Sequence, residues 1–158
     1  MLTVLSIGDY TSIFDWQVMV PALRTIEVLE FTAQTASKPV DLSQFSILSI
    51  LRIYIATPDS NFVVLDTLST LPSSSRISRI ILYPLFLSLP IRAPALLDST
   101  LARLPLQHPL IVEFAMGLNQ YHRWVTHFPQ LNSRNMLRRA TLDLDWIAGY
   151  IRETDPLY

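Results

Sequence analysis

Few side chains in this chain could do chemistry, and their spacing argues against most of the reactions they could serve. The histidines are His108, His122 and His127. Two histidines that share a metal on a helix stand four residues apart, whereas His122 and His127 are five apart and fall on different faces. His108 precedes a proline at the start of an expected strand, and all three read as solvated or hydrogen-bonded side chains. Asp143 and Asp145 flank a strand end, where capping the next helix suits them better than acid–base work. Such catalysis needs a cleft that drives two carboxyl pKa values apart. Ser73 to Ser75 form a polar turn, and no serine lies in a G-x-S-x-G elbow. With only Gly8, Gly117 and Gly149, the chain has no glycine-rich phosphate loop. Arg134, Arg138 and Arg139 make a small basic cluster that reads as a solvated edge. No catalytic residue, cofactor or metal is expected.

The bulk composition points the same way. Half of the 158 residues are apolar and 16% are charged, below the roughly 25% usual for soluble domains. Such a chain must bury much of its surface, and it is not a candidate for disorder. A net charge of −1 provides no field for nucleic acid or an acidic membrane. The basic residues are eleven arginines and Lys38. The absence of cysteine removes disulfides and thiolate chemistry and fits an intracellular setting, cytoplasmic or nuclear. Met1 to Ile7 lacks the basic start of a signal peptide. The most apolar run, Ile80 to Ile91, is about twelve residues long and broken by Pro84 and Pro90, against roughly twenty needed to span a bilayer.

The elements that must position any site come from a repeated spacing. In Leu48-Ser-Ile-Leu51-Arg-Ile53-Tyr-Ile55 an apolar residue is followed three and five positions later by two more. Leu23, Ile26 and Val28 share this spacing, as do Ile77, Ile80 and Leu82. Leu110 and Val112 match its second half, with Gln107 in the first position. The starts at 23, 48, 77 and 107 are separated by 25, 29 and 30 residues, a range typical of stacked supersecondary units. Strands are expected at residues 1–8, 26–31, 50–56, 79–83, 110–115 and 136–142. Between them lie expected helices. One runs from Thr11 or Ser12 to Val20. Another starts at Asp59 or Ser60 and carries Phe62, Leu65, Leu68 and Leu71 on one side. A third starts at Ala93-Pro94 and carries Leu97, Leu101 and Leu104. A fourth carries Tyr121, Trp124, Val125 and Phe128 as core packing, and a closing helix carries Leu144, Ile147 and Ile151. Val20-Pro21, Leu71-Pro72, Leu104-Pro105 and Phe128-Pro129 end helices in the same way. Alternating strands and helices predict an α/β fold, with a parallel sheet and its helices on one side. Residues 1–158 read as a single leucine-rich-repeat-like domain, or as a piece of a longer solenoid whose uncapped ends could self-associate.

The order of these pieces resembles the C-terminal leucine-rich-repeat-like region of F-box proteins from mushroom-forming fungi. The resemblance rests on Leu48 to Ile55, and on Leu68-Ser-Thr-Leu-Pro72-Ser-Ser-Ser75 leading into Ile77-Ser-Arg-Ile80. It continues with Leu96-Leu-Asp-Ser-Thr-Leu101 before Pro109-Leu-Ile-Val-Glu-Phe114, and with Phe128-Pro-Gln-Leu131-Asn-Ser-Arg134-Asn-Met-Leu137. It implies a short, irregular leucine-rich-repeat-like solenoid that holds a protein partner. No F-box-like segment is present, so a ligase role for the chain alone is not implied. Regular leucine-rich repeats place an asparagine three positions after the last apolar residue of the run. Phe31, Ala56, Leu85 and Ala115 stand there, which leaves the turn to be held by packing.

Pleating sends neighbours of core residues to the other face. If Leu51, Ile53, Ile80, Leu82, Leu110 and Val112 point inward, then Arg52, Tyr54, Ile81, Tyr83, Ile111 and Glu113 point outward, with Glu27 in the first repeat. Arginine, tyrosine and scattered aliphatics suit a protein-binding surface. The expected function is a non-catalytic protein–protein interaction module. The alternatives are a small α/β enzyme with an unrecognised site, or a degenerate repeat fragment without independent function.

Overall fold

The computed structural model describes residues 4–7, 23–85 and 92–140. Within them, runs of Val, Ile, Leu, Phe and Tyr form six strands, and turns rich in proline and serine separate them. The strands are β1 (Val4–Ile7), β2 (Val28–Ala33), β3 (Ile50–Ile55), β4 (Arg79–Pro84), β5 (Ile111–Ala115) and β6 (Leu137–Ala140). They form one all-parallel sheet in chain order, each strand pairing with the next. Four helices are described: α1 (Asn61–Ser69), α2 (Pro94–Ala102), α3 (Leu118–Val125) and α4 (Pro129–Ser133). The fold class is α/β. The expected helices at 11–20 and 144–151 lie outside the described residues, as do Trp16, Asp143, Asp145 and Trp146.

The core lies between one face of the sheet and these helices. Leu29, Leu51, Ile80, Val112 and Leu137 are aligned across the strands, and all are buried. Phe31, Ile53, Leu82 and Phe114 form a second buried row. Val64 and Leu68 of α1, Leu97 and Leu101 of α2, Phe128, and Leu131 of α4 pack into the same cluster. Phe114 meets Phe128 at 4.7 Å between ring centroids and Trp124 at 5.6 Å. The expected packing role of the Trp124 stripe therefore holds, with Tyr121, Trp124 and Val125 partly buried at the margin of the core.

The pairing corrects the expected spacing. Leu51 is aligned with Leu29, not Ile26, and Ile80 with Val112, not Leu110. From Leu29 through Leu51, Ile80 and Val112 to Leu137, the chain advances 22, 29, 32 and 25 residues. The sheet requires a register between neighbouring strands, and the intervening segments need no common length.

Two further differences concern helices. Phe62 is 42% exposed, whereas Asn61, Val63, Val64, Thr67 and Leu68 are buried. Four apolar residues at three-residue steps drift round a helix, because each step falls about 60° short of a full turn at roughly 100° per residue. Pro129 does more than follow α3. It occupies the first turn of α4, where its missing N–H removes no bond, and Phe128 takes the capping position before it.

Hydrogen bonds on the helical side link successive segments. Thr67 Oγ1 accepts from Val40 N at 3.0 Å, and Thr70 Oγ1 from Leu42 N at 2.8 Å. Asn61 Nδ2 donates to the Arg92 carbonyl. Asp98, buried in α2, accepts from Gln130 N and Leu131 N of α4, each at 2.9 Å. At the positions where an asparagine would stand in a regular repeat, backbone bonds continue the ladder. Ala56 N donates to Ala33 O, and Leu85 N to Ile55 O, each at 3.0 Å. Phe31 is packed in the core, and Ala115 is buried on the other face of the sheet.

Candidate functional site

Strand alternation gives the second face of the sheet its own rows. The row nearest the strand starts runs Val4, Val28, Ile50, Arg79 and Ile111. The next runs Ser6, Glu30, Arg52, Ile81, Glu113 and Arg138. Beyond it Thr32, Tyr54 and Tyr83 stand side by side, as do Ala115 and Ala140. All six residues expected at a partner surface, Arg52, Tyr54, Ile81, Tyr83, Ile111 and Glu113, therefore share one face.

Their exposure differs from the expectation. Tyr54 is 5% exposed and Ile81 4%, so neither offers a surface to a partner. Ile81 clusters with Ala115 and Ala140, against which Ile50 and Tyr83 pack. The Tyr54 and Tyr83 rings lie 4.5 Å apart and tilted by 31°. In contrast, Ile111 is 41% exposed, and Val4, Arg79 and Arg138 are exposed with it. The exposed part of the face thus comprises Val4, Ser6, Arg79, Ile111 and Arg138 in the two rows nearest the strand starts, in which Val28 and Ile81 are buried.

These rows are rich in charge. Arg52 pairs with Glu30 directly across β2 and β3. Arg79 places Nε at 2.9 Å and Nη2 at 2.6 Å from Glu113 Oε2. Burial works against the Arg52 charge, but the hydrogen bond and charge of Glu30 outweigh it and hold the guanidinium above its usual pKa. Arg52 Nε is buried and has no hydrogen-bond partner among the described residues. Glu30 was missed in the sequence because the spacing misplaced β2 by three residues, and Arg79 and Arg138 were not assigned to this face. Glu27, expected on this face, precedes β2, and its carbonyl accepts from Ser49 N at 2.9 Å and Ile50 N at 3.1 Å.

At the strand-start edge a cavity of about 460 Å³ opens between the end of α2 and the segments leading into β5 and β6. Leu101, Leu104, Leu106, Leu110 and Met136 line it with apolar surface, and His108, Arg134, Asn135 and Arg138 contribute polar groups. None of its lining residues is a carboxylate or a hydroxyl nucleophile. His122 and His127 are exposed, on and just after α3. Among the described residues no three His, Asp or Glu side chains gather as a metal site, and no helix is long and apolar enough to cross a membrane. No protein-family model, curated protein or solved structure matches this chain.

Proposed function

We propose that the chain is a non-catalytic protein-interaction module that binds its partner through the strand-start half of the open sheet face. Ile111 carries this reading: at the start of β5, the fifth of the six strands, it is 41% exposed, although parallel sheets are generally covered on both faces. Arg79 stands beside it, Glu113 and Arg138 lie in the next row and Arg52 two strands away, groups that hydrogen-bond in fixed directions and favour recognition over non-specific adhesion. The expected set is retained as Arg52, Ile111 and Glu113, while Tyr54, Ile81 and Tyr83 pack beside them on the same face. The partner is a protein.

The stacked, irregular leucine-rich-repeat-like reading belongs to the same proposal. Support comes from the strict chain order of the strands and from the hydrogen bonds that tie each helical-side segment to the next. A partner-holding role like that of the F-box protein repeats follows from the resemblance in the order of the motifs. The Arg79→Ala/Ile111→Lys double variant tests the proposal. Both substituted side chains are exposed, but Glu113 is left 13% exposed without its partner, so the fold of the variant is checked by circular dichroism before capture. Affinity capture with mass spectrometry should recover a partner with the wild type that the variant fails to retain. Equal recovery by both would remove this face from consideration.

A further inference from the structure

We propose that the cavity between α2 and the starts of β5 and β6 is a binding site for an amphiphilic carboxylate, a small molecule with an alkyl or aryl body and one carboxyl group. Its volume, about 460 Å³, falls within the range of small-ligand pockets. The apolar lining comes from two directions: Leu101, Leu104 and Leu106 from α2 and the segment after it, Leu110 and Met136 from the approaches to β5 and β6. A hydrophilic ion alone would leave this surface against water, whereas an apolar body would cover it.

The polar groups are all suited to an anion. Arg134 and Arg138 both line the cavity, with His108 between the apolar segments. Asn135 adopts a left-handed backbone, φ 57°, a conformation that asparagine tolerates. The chain turns there, and the two arginines on either side of it reach the same cavity. Arg134 Nη1 donates to the Ala102 carbonyl at the end of α2. Arg138 Nη1 donates to Asn135 Oδ1 at 3.1 Å and to Leu137 O at 2.8 Å. These contacts orient both guanidiniums and engage one nitrogen of each, out of five N–H donors per group. Among the described residues no carboxylate pairs with either arginine. A carboxylate matches the planar fork of a guanidinium with two parallel bonds.

This inference does not require the sheet face to bind a protein, although Ile111 and Arg138 belong to both surfaces. Its test uses 4-phenylbutyrate, with 4-phenylbutylamine, 4-phenylbutanol and inorganic phosphate as matched probes, followed by calorimetry and by amide shifts in NMR spectra. Saturable binding of 4-phenylbutyrate is expected, with shifts at Leu104, Leu106 and Met136. The amine and inorganic phosphate should bind at least tenfold more weakly. In Arg134→Gln/Arg138→Gln, whose fold is checked by the same spectra, affinity for 4-phenylbutyrate should fall at least tenfold while the weaker binding of 4-phenylbutanol is unchanged. Absence of saturable binding, equal affinity for the amine or for phosphate, or full retention of affinity by the double variant would each overturn the proposal.

Discussion

Asp98 is buried in α2, and its two oxygens accept the backbone N–H groups of Gln130 and Leu131 in the first turn of α4. These N–H groups have no partner within their own helix, and a carboxylate there also suits the positive end of the helix. Arg134, at the other end of α4, returns a bond to the Ala102 carbonyl, so the two helices are joined at both ends. Asp98→Ala would leave one buried and one partly buried donor unsatisfied and should cost about 1–3 kcal/mol, read as a lower urea midpoint. Asp98→Asn, which keeps one acceptor, should lose less. The residue is conspicuous in the sequence only as a polar interruption of Leu96-Leu-Asp-Ser-Thr-Leu101. Its role could not be read there, because the groups it serves lie more than thirty residues away and local periodicity carries no information about them.

The elements were legible in proportion to how closely their patterns followed a backbone period. β3 and β4 were read nearly to the residue, because β-branched and aromatic residues alternate within clear turn boundaries. β5 was aligned two residues out of place, from Leu110 instead of Val112. An even error preserves the faces of a strand, so Ile111 and Glu113 were still placed on the correct side. For β2 the error was three residues, from Ile26 to Leu29. An odd error exchanges the faces, which is why Glu27 stood in for Glu30. In α1 the error was one of period: apolar residues at threes suggested a stripe that a helix cannot keep. Substitution separates the two stripes. Leu68→Ala should cost about 2–5 kcal/mol as a buried large-to-small change. Phe62→Ala, at a position left 42% exposed, should cost under about 1 kcal/mol. Equal losses in chemical denaturation would mean that the helix is rotated from the position described here.

One contiguous cluster runs through the described part of the molecule, from Leu23 and Leu29 through Leu51, Ile80 and Val112 to Leu131 and Leu137. Leu51 lies in the middle strands of this cluster and is completely buried. Leu51→Asp should therefore abolish folding of the whole, because an unpaired carboxylate in such a place costs several kcal/mol against a total stability of about 5–15 kcal/mol. Circular dichroism should show loss of ordered structure at room temperature, and a native spectrum would show that Leu51 is not enclosed. The sheet, its parallel sense and the inward faces of β3, β4 and β5 were visible in the sequence because burial on this scale demands a repeated apolar pattern. The half-covered outer face was not, since whether Tyr54 or Ile81 meets water depends on neighbours brought in by register.

The unequal advances of the chain, 22, 29, 32 and 25 residues between aligned positions, have a consequence for how such a protein can change. All the variation in length falls in the segments between strands, while the aligned rows remain unbroken. Lengthening a surface connection adds only a slowly growing entropic term, about 0.6 kcal/mol for each doubling, whereas adding one residue inside a strand turns its apolar face outward. Insertions and deletions are therefore admissible in one layer and forbidden in the other. Descendants of this chain can differ greatly in length and retain the same sheet, and their kinship would then be hard to find by comparing sequences position by position.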